Sequence, residues 1–272
     1  MTTPVSSADR FRALQQPGQP LLLPNPWDPG SARLFASLGF QALATTSSGF
    51  AGTLGRRDGS VTADEALAHA AAIAAATDLP VTADLENGFA RDPAGVAAIV
   101  GRAVGTGVAG CSIEDYDPGD QSVYDLGLAV ERVAAAVEAA HAGPGSGIVI
   151  TARAENYIRG HPDLSDTIAR LQAYQEVGAE ALYAPGLMTL DDIRQLVAAV
   201  DRPVNVLARP GAPTVAELAG VGVARISVGG AFSYVALAAA AGAARELLDQ
   251  GTYGFWEQAA VGMGEAHAAF TA

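Results

Sequence analysis

The feature that most constrains the fold of this chain is a regular alternation of short apolar runs with longer helical segments. The apolar runs have the length of β-strands and lie at 20–24, 41–46, 80–85, 109–114, 147–152, 179–184, 203–207 and 223–228. Segments with helical periodicity separate them, at 30–38, 62–76, 93–105, 126–142, 163–177, 189–199 and 213–220, and an Ala-rich stretch follows at 232–249. Thr62 and Glu65 have the spacing of a capping box, which supports the helix over 62–76.

Strict alternation of strands and helices predicts parallel strands joined by right-handed crossovers. Eight such units within 272 residues favour a closed (β/α)8 barrel of the TIM type over an open sheet. No linker-like segment interrupts the pattern, so we predict one domain over 1–272, with 232–272 as a C-terminal helical extension. Tyr253, Phe255 and Trp256 lie beyond the eighth unit, and we expect them to pack against another element or another subunit.

The charge balance restricts the partners of this chain. With 16 basic and 29 acidic residues the net charge is −13, which argues against nucleic acid or an anionic membrane. An anionic substrate would therefore need a local cation, such as a metal ion or an inward-pointing arginine. The lone Cys111 lies in an apolar run, the N-terminus lacks a signal-peptide pattern, and the Ala-rich stretch near residue 240 is short and interrupted by glycine. We expect a cytoplasmic protein without a membrane span.

Acidic residues follow three of the predicted strands. Asp84 and Glu86 close the third strand, Glu114 and Asp115 close the fourth, and Glu155 follows the fifth. The carboxyl ends of barrel strands meet at one rim, where the active sites of this fold lie. Clustered negative charge is costly unless a cation neutralises it or some groups take up protons. Carboxylate oxygens and water suit Mg²⁺, or Mn²⁺, so the pattern predicts a hard-metal site.

The alternation of side chains in a strand should place Asp84 and Glu86 on one face. Their structural alternative is helix capping or an ion pair with Arg91. Glu114 is expected to face the barrel axis because it continues the register of Ser112, and its alternative is an ion pair with a neighbouring arginine.

Arg153 follows the fifth strand and could recognise a substrate carboxylate or phosphonate with its two-pronged guanidinium. It could equally balance the charges of Glu114 and Glu155. The four histidines are spaced unlike metal ligands, and strand-end lysines are missing, which excludes Schiff-base chemistry.

A polar segment after the second strand, Thr45–Gly49, offers hydroxyls and backbone amides to an anionic oxygen. Asp58, in LGRRDGS, is a further acidic candidate, and an ordinary Asp-Gly turn is its alternative.

The order of these motifs resembles the isocitrate lyase / phosphoenolpyruvate mutase superfamily over nearly the whole chain. The motifs are PNPWDPGSARLFASLGFQALATTSSGFAGTLGRRDG, TADLENG, SIEDYD, ITARAE and PVNVLA. The resemblance implies a barrel with Mg²⁺ near the strand ends, dimers or tetramers, and exchange of the last helix between paired subunits. It also implies that a C–C or P–C bond is made or broken next to the enolate of pyruvate or a related 2-oxo acid.

The resemblance further implies a role for each matching residue. Asp84 is similar to the direct metal ligand, while Glu86 and Glu114 would act mainly through bound water. The segment Thr46, Ser47, Ser48 and Gly49 matches the loop that holds the carboxylate of the 2-oxo acid. Arg153 resembles the arginine that faces the substrate oxyanion, Asp58 the acid on a mobile gating loop, and Asn205 the asparagine of the seventh strand.

The chain departs from this pattern at three places. Where lyases of isocitrate and 2-methylisocitrate have a Lys-x-Cys-Gly-His loop, this sequence reads DYDPGDQSVYD, without the cysteine acid. Tyr183–Gly186 replaces a region with Glu or His in relatives, and Asp84-Leu85-Glu86 replaces Asp-x-Asp. The departures argue against isocitrate lyase, methylisocitrate lyase and phosphonopyruvate chemistry.

We therefore predict a Mg²⁺-dependent carbon–carbon lyase or decarboxylase of a small anionic 2-oxo acid or 2-hydroxy diacid, working as a homodimer or homotetramer. The alternatives are a P–C bond mutase or hydrolase and a non-catalytic 2-oxo acid binding protein.

Overall fold

The computed structural model describes residues 5–143 and 147–270. The strands are β1 (Leu21–Leu23), β2 (Leu43–Ala44), β3 (Val81–Asp84), β4 (Gly110–Glu114), β5 (Tyr116–Asp117), β6 (Ser122–Val123), β7 (Val149–Arg153), β8 (Ala181–Tyr183), β9 (Val204–Leu207) and β10 (Arg225–Ser227). The helices are α1 (Ser7–Leu14), α2 (Pro29–Ser37), α3 (Ser47–Thr53), α4 (Ala63–Ala75), α5 (Pro93–Val104), α6 (Leu126–His141), α7 (Leu164–Glu176), α8 (Leu190–Ala199), α9 (Val215–Gly220), α10 (Ala231–Gln250) and α11 (Trp256–Ala269).

Eight parallel strands form a nearly closed barrel with helices between them. Their order is β1-β10-β9-β8-β7-β4-β3-β2, and β5 and β6 form a separate antiparallel hairpin. At the seam between β1 and β2, the Ala44 amide donates to the Pro24 carbonyl oxygen at 3.1 Å. The predicted (β/α)8 fold is confirmed. Seven of the eight predicted strand runs contain their barrel strand, and β7 extends one residue beyond its predicted run, to Arg153. The strands are shorter than the runs by one to four residues because the ends of the runs carry no ladder pairing.

Two large apolar clusters fix the helices onto the barrel. One surrounds Leu43, Ile73 and Ile113, and the other surrounds Leu171 and Leu182. Burying a side chain of this size contributes about 1.5–3 kcal/mol, so many such contacts hold the strands rigidly. The strand ends, and the polar residues on them, are thereby held in place.

Helix α1 lies outside the predicted set and packs against the amino-terminal ends of the strands. Its Phe11 is fully buried and packs with Leu21, Leu23 and Val149. The helix carries one large apolar anchor rather than a repeated apolar stripe, which explains why periodicity did not indicate it. The opposite end of the barrel, where the strands finish, is open.

The Ala-rich stretch forms α10, a helix of 20 residues that is longer than the apolar run in the sequence suggests. Within the described residues it is the one helix with the length and composition to cross a membrane. It follows β10 directly, in the place of the eighth helix of the barrel, and only 6% of its apolar window is buried within the described residues. Helix α11 packs against α2 of the same chain, and exchange of helices between subunits stays a prediction.

Candidate active site

A cavity of about 240 Å³ opens at the carboxyl ends of the barrel strands. Its wall is polar and includes most of the residues that the sequence singled out, namely Thr46, Ser47, Ser48, Asp58, Asp84, Arg153 and Asn205. Gly49, Glu86 and Glu114 do not line it. The barrel topology accordingly brings together residues that lie up to 160 positions apart in the chain.

Arg153, the last residue of β7, lies among three carboxylates at one side of this cavity. Its Nη2 is 3.0 Å from Glu114 Oε2 and 2.8 Å from Glu155 Oε1, and its Nη1 is 3.3 Å from Asp84 Oδ1. The ring of Tyr183 packs beside it, with its centroid 5.0 Å from the guanidinium carbon. Burial alone would lower the pKa of Arg153, but the carboxylates of Glu155, Glu114 and Asp84 raise it well above its ordinary value. The guanidinium is a permanent cation that both balances charge and faces the cavity.

Asp84, the last residue of β3, has a carboxylate that is only partly buried. Oδ2 accepts a hydrogen bond from the Ser47 amide at 3.3 Å, and Oδ1 accepts one from Ser112 Oγ at 3.5 Å. The backbone amide of Asp84 donates to Thr45 Oγ1 at 2.8 Å, which ties the end of β3 to the segment after β2. These long contacts leave the carboxylate oxygens with capacity for a further partner in the cavity.

Glu86 is adjacent to Asp84, but not through strand alternation. Strand β3 ends at Asp84, and Glu86 has a left-handed backbone with φ 49°, so the expectation of one shared strand face is wrong. The Glu86 amide donates to Asp84 Oδ1 at 3.3 Å, and both residues line a small second cavity beside the first. Burial, with the negative charges of Asp84 and Asp58, raises the pKa of Glu86 to about 7.

Glu114 lies directly opposite Arg153 in the register of β4 and β7 and is buried behind the cavity wall. Burial raises its pKa well above the ordinary value, and the nearby Glu155 adds to the effect. Asp115 points the other way, into the helix layer, where Oδ2 accepts from Tyr174 Oη at 2.6 Å and from Arg170 Nη1 at 3.1 Å. Of this acidic pair only Glu114 belongs to the site, as the side-chain register predicts.

The polar segment after β2 is the start of a helix rather than a simple turn. Thr46 caps α3, and its Oγ1 accepts from the Gly49 amide at 3.3 Å. Ser47 and Ser48 face the cavity, whereas Gly49 is buried behind them, where an added Cβ would lie 2.6 Å from Thr46 Cγ2. Gly49 is therefore needed for close packing rather than for contact with a molecule in the cavity.

Asp58 and Asn205 complete the predicted set. Asp58 is exposed at the mouth of the cavity, and its Oδ1 accepts from the Gly59 amide at 3.2 Å, so it belongs both to an Asp-Gly turn and to the site. Asn205 is buried on β9, and its Nδ2 donates to Ser227 Oγ at 3.0 Å.

Three residues that the sequence did not single out also shape the site. Asn25, after β1, binds the Thr45 carbonyl through Nδ2 and the Val228 and Gly229 amides through Oδ1, and so joins three strand ends. Arg159 lies 3.5 Å from Glu114 and 3.4 Å from Glu155. Arg225 lies deeper in the same cavity. Of these three residues, only Arg159 could have been found from the local sequence, because it lies four residues after Glu155, a spacing that allows an ion pair.

The DYDPGDQSVYD segment, which contains no cysteine, forms the β5–β6 hairpin beside the cavity. The ring of Tyr116 packs against Arg159, with the guanidinium carbon 3.6 Å from the ring centroid. Arg91, on the far side of the hairpin, pairs with Asp117 at 2.8 Å and also with Asp120. Arg91 thus holds the hairpin and does not pair with Asp84 or Glu86, so that alternative for the two carboxylates is wrong.

The chemistry of these side chains fits a hard divalent cation held largely through water. Within residues 5–143 and 147–270, no group of three His, Cys, Asp or Glu side chains is arranged to hold a metal ion by itself. Mg²⁺ needs only one or two carboxylates, because it keeps several of its waters. Five carboxyl groups, of Asp58, Asp84, Glu86, Glu114 and Glu155, lie near two guanidinium groups, and a cation bound there would favour the charged forms of Glu86 and Glu114, whose pKa values are raised.

Comparison with known proteins places this site in a family. The family model of phosphoenolpyruvate phosphomutase matches residues 11–248. The chain belongs to the phosphoenolpyruvate phosphomutase family. The family assignment confirms the resemblance to the isocitrate lyase / phosphoenolpyruvate mutase superfamily that the motifs indicated.

Solved structures of family members share the architecture. A Burkholderia cenocepacia J2315 protein, assigned provisionally as a lyase/mutase, superposes with a TM-score of 0.88 at 47% identity, over 92% of this chain and 91% of that one. The 2,3-dimethylmalate lyase structure has a TM-score of 0.82 at 30% identity, over 92% and 90% of the two chains.

Three relatives match most of this chain, and two of them have a named activity. The uncharacterised protein Rv1998c of Mycobacterium tuberculosis is 33% identical, over 88% of this chain and 89% of its own length. The 2-methylisocitrate lyase of Escherichia coli K12 is 31% identical over 73% and 69% of the two chains. The oxaloacetate decarboxylase of Chromohalobacter salexigens is 30% identical over 83% and 79%. Membership therefore connects this chain with enzymes named as carbon–carbon lyases and decarboxylases.

Proposed function

We propose that this protein is a Mg²⁺-dependent carbon–carbon lyase or decarboxylase acting on a 2-oxo acid or a 2-hydroxy diacid through an enolate. The observation that carries this proposal is the placement of the Arg153 guanidinium against the Asp84 carboxylate on one open cavity. The pair combines a group suited to an anionic oxygen with a group suited to a cation. A small anionic 2-oxo acid in the cytoplasm is the partner that this arrangement fits.

Asp84 would hold the cation directly, and Glu86 and Glu114 would contribute through water. Mn²⁺ has similar ligand preferences and could replace Mg²⁺. When bound, the cation would supply Lewis-acid polarisation of the substrate's carbonyl oxygen.

The protein's own groups would bind and orient the substrate. Thr46, Ser47 and Ser48 line the cavity, and their amides and hydroxyls would hold the carboxylate of the 2-oxo acid. Arg153 would donate hydrogen bonds to the oxygen on which negative charge develops as the bond breaks. Preorganised donors of this kind are usually the largest contribution to catalysis, because they need no reorganisation during the reaction.

The β5–β6 hairpin favours decarboxylation over cleavage of 2-methylisocitrate. Release of a carboxylate dianion requires an acid beside the departing group, and the segment in question contains no cysteine. In decarboxylation of oxaloacetate the C–C bond breaks, CO₂ leaves without a proton, and the bonding electrons form the enolate of pyruvate. The enolate carbon then takes one proton to give pyruvate. Asp58, exposed at the cavity mouth, would deliver that proton.

The test is turnover of oxaloacetate to pyruvate, followed by NMR above the uncatalysed rate, with Mg²⁺ and with excess chelator. A matched pair of variants, Arg153→Lys at the cavity and Arg202→Lys at an exposed position before β9, separates an effect at the cavity from a general effect of replacing arginine with lysine. We expect Mg²⁺-dependent turnover that Arg153→Lys reduces and Arg202→Lys does not. Binding of 2-oxo acids with no turnover of oxaloacetate, of 2-hydroxy diacids or of phosphonopyruvate would favour the non-catalytic binding protein, and turnover of phosphonopyruvate alone would favour P–C bond chemistry.

A further inference from the structure

Arg225, on β10, is a buried cation without an anionic partner. It is only 4% exposed, and its Nη1 donates to Thr151 Oγ1 at 2.9 Å and to Gln15 Oε1 at 3.2 Å. The face of the Phe11 ring lies beneath it, 5.4 Å from the guanidinium carbon. No carboxylate in residues 5–143 or 147–270 pairs with it. Burial lowers its pKa to about 10, so it remains charged at neutral pH.

Two other buried arginines of this protein each donate hydrogen bonds from two side-chain nitrogens. Arg132 donates to the backbone carbonyls of Asn87, Ala90 and Arg91. Arg170 pairs with Asp115. A buried charge is costly unless it is paired and hydrogen-bonded. Arg132 also lacks a carboxylate partner, but Arg225 differs from both arginines because it donates from Nη1 alone and its buried Nε has no partner.

The cavity beside Arg225 also contains unpaired polar atoms. Three buried side-chain atoms in the described residues have no hydrogen-bond partner: Thr82 Oγ1, Asn205 Oδ1 and Arg225 Nε. All three residues line the cavity that contains Asp84 and Arg153 at its upper end. Each of these residues is more than nine-tenths buried. Buried polar groups are normally satisfied, so the lower part of the cavity is built to receive a polar molecule.

The geometry of the guanidinium selects the chemistry of that molecule. Nη1 is engaged by neutral oxygens, and the unpartnered Nε lies on the other side of the group. The Nε–Nη2 edge of an arginine matches the two oxygens of a carboxylate in a bidentate pair. The floor of the cavity is therefore cationic, while its rim is rich in carboxylates that suit a metal ion.

We propose that Arg225 binds the distal carboxylate of a dicarboxylate substrate, whose 2-oxo acid end lies at Asp84 and Arg153. The inference rests on the proposed function and narrows its substrates to diacids. The hydroxyl of Thr82, which has no partner, would donate a hydrogen bond to the same carboxylate. A substrate that ends in a methyl group leaves Arg225 uncompensated and binds more weakly.

The first test compares acids that differ only at the distal end. The pairs are oxaloacetate with 2-oxobutyrate, and 2-oxoglutarate with 2-oxopentanoate, in which a carboxylate is replaced by a methyl group. Dissociation constants are measured by equilibrium competition at saturating Mg²⁺ and constant ionic strength. A charged hydrogen bond predicts that the wild-type protein prefers the diacid by about tenfold to hundredfold in at least one pair.

The second test identifies the residue that binds the distal carboxylate of the ligand. Arg225→Gln should lower diacid affinity by the same factor and leave monoacid affinity within about twofold, and Arg225→Lys should lie between them. Arg202→Gln, at an exposed position, is the matched control, and circular dichroism confirms folding of each variant. If Arg225→Gln does not fold, the ratio of diacid to monoacid affinity in the wild-type protein and in Arg225→Lys still tests whether Arg225 binds the distal carboxylate.

The outcomes separate this inference from the proposed function. A wild-type ratio near one in both pairs, or a preference that survives in Arg225→Gln, removes Arg225 as a substrate residue even if oxaloacetate is turned over. Failure of all four acids to bind overturns both proposals. Preference without turnover retains Arg225 and overturns only the lyase activity.

Discussion

Arg153 and Asp84 face each other at the open end of the barrel, with Nη1 of the arginine 3.3 Å from Oδ1 of the aspartate. They are 69 residues apart in the chain and lie on β7 and β3, with β4 between them. The same guanidinium holds Glu114 and Glu155 on its other side, so its orientation is fixed before any ligand arrives. A ligand that binds at Asp84 therefore meets an oriented cation.

Replacing Arg153 with lysine tests whether this geometry, rather than charge alone, binds the substrate. Arg153→Lys keeps the positive charge but loses the bidentate fork, and we expect the affinity for oxaloacetate or 2-oxoglutarate at saturating Mg²⁺ to fall about tenfold to hundredfold. Arg202→Lys serves as the control. If Arg153 only balances Glu114 and Glu155, the two variants will bind the acids equally well.

The metal site should depend on Asp84 more than on its acidic neighbours. Asp84→Ala removes the carboxylate that lines the cavity and that we expect to bind the metal directly. Glu86→Ala and Glu114→Ala remove groups that we expect to act through water, and such a loss often costs ~10–100-fold in affinity. Calorimetric titration with Mg²⁺ compares the three. Unchanged affinity in Asp84→Ala would contradict the assignment of the metal to this carboxylate.

Asp115 is expected to matter for stability and not for ligand binding. Its carboxylate is buried against Arg170 and Tyr174 and accepts the Glu155 amide at 2.8 Å. Asp115→Ala removes the buried one of the two carboxylates that pair with Arg170 and leaves the Tyr174 hydroxyl without its acceptor, so it should lower the free energy of unfolding by about 3–5 kcal/mol.

Asp166 provides the matched control for that experiment, because it pairs with the same Arg170 at 2.8 Å but is partly exposed. Asp166→Ala should cost no more than about 1 kcal/mol. Urea unfolding of both variants measures the difference. Equal losses would show that burial of the Asp115 pair is not what stabilises this part of the barrel.

His69 should make stability fall in mild acid. Burial lowers its pKa below the ordinary value of 6.5, against the opposing effects of its hydrogen bond to the Trp27 carbonyl and of Asp28. The unfolded chain therefore binds this proton more readily than the folded protein does. The stability that neutral His69 contributes is complete above pH 6.5 and is lost as the pH falls from 6.5 towards the lowered pKa.

Melting temperatures of the wild-type protein and of His69→Gln between pH 7.5 and 5.5 measure this contribution. The wild-type protein should lose more stability over that range than the variant does, and His161→Gln, at an exposed histidine, should follow the wild type. The effect of Glu86, whose raised pKa makes stability rise as the pH falls over the same range, is the same in both proteins and cancels in the comparison. A steeper loss in His69→Gln would reverse the sign that burial predicts.

The C-terminal helices are expected to form the contact between subunits. Exposed apolar side chains are concentrated there, including Val235 and Leu248 on α10 and Trp256 and Met263 on α11. Large exposed apolar patches usually mark interfaces. Sedimentation should show a dimer or tetramer for the intact chain and a smaller species after truncation before Gly251. A stable monomer in both would exclude this interface.

The sequence by itself determined the barrel and the identity of most rim residues. Alternating apolar and helical periods are local properties, and the closing residue of each strand is read directly from where the apolar run stops. Asp84, Glu114 and Arg153 are such closing residues, and each lies where a parallel barrel must place it.

Only the tertiary structure decided which of those side chains contact one another and which further residues join the site. The left-handed backbone of Glu86 placed it beside Asp84 by a turn that periodicity does not encode. Arg159 is part of the site because it packs on Tyr116. Arg225 is part of it because its side chain donates to Thr151, which lies 74 residues away in the chain. Such contacts depend on the stagger of the strands and on the direction of long side chains, which are set by packing across the whole barrel and not by any local stretch of sequence.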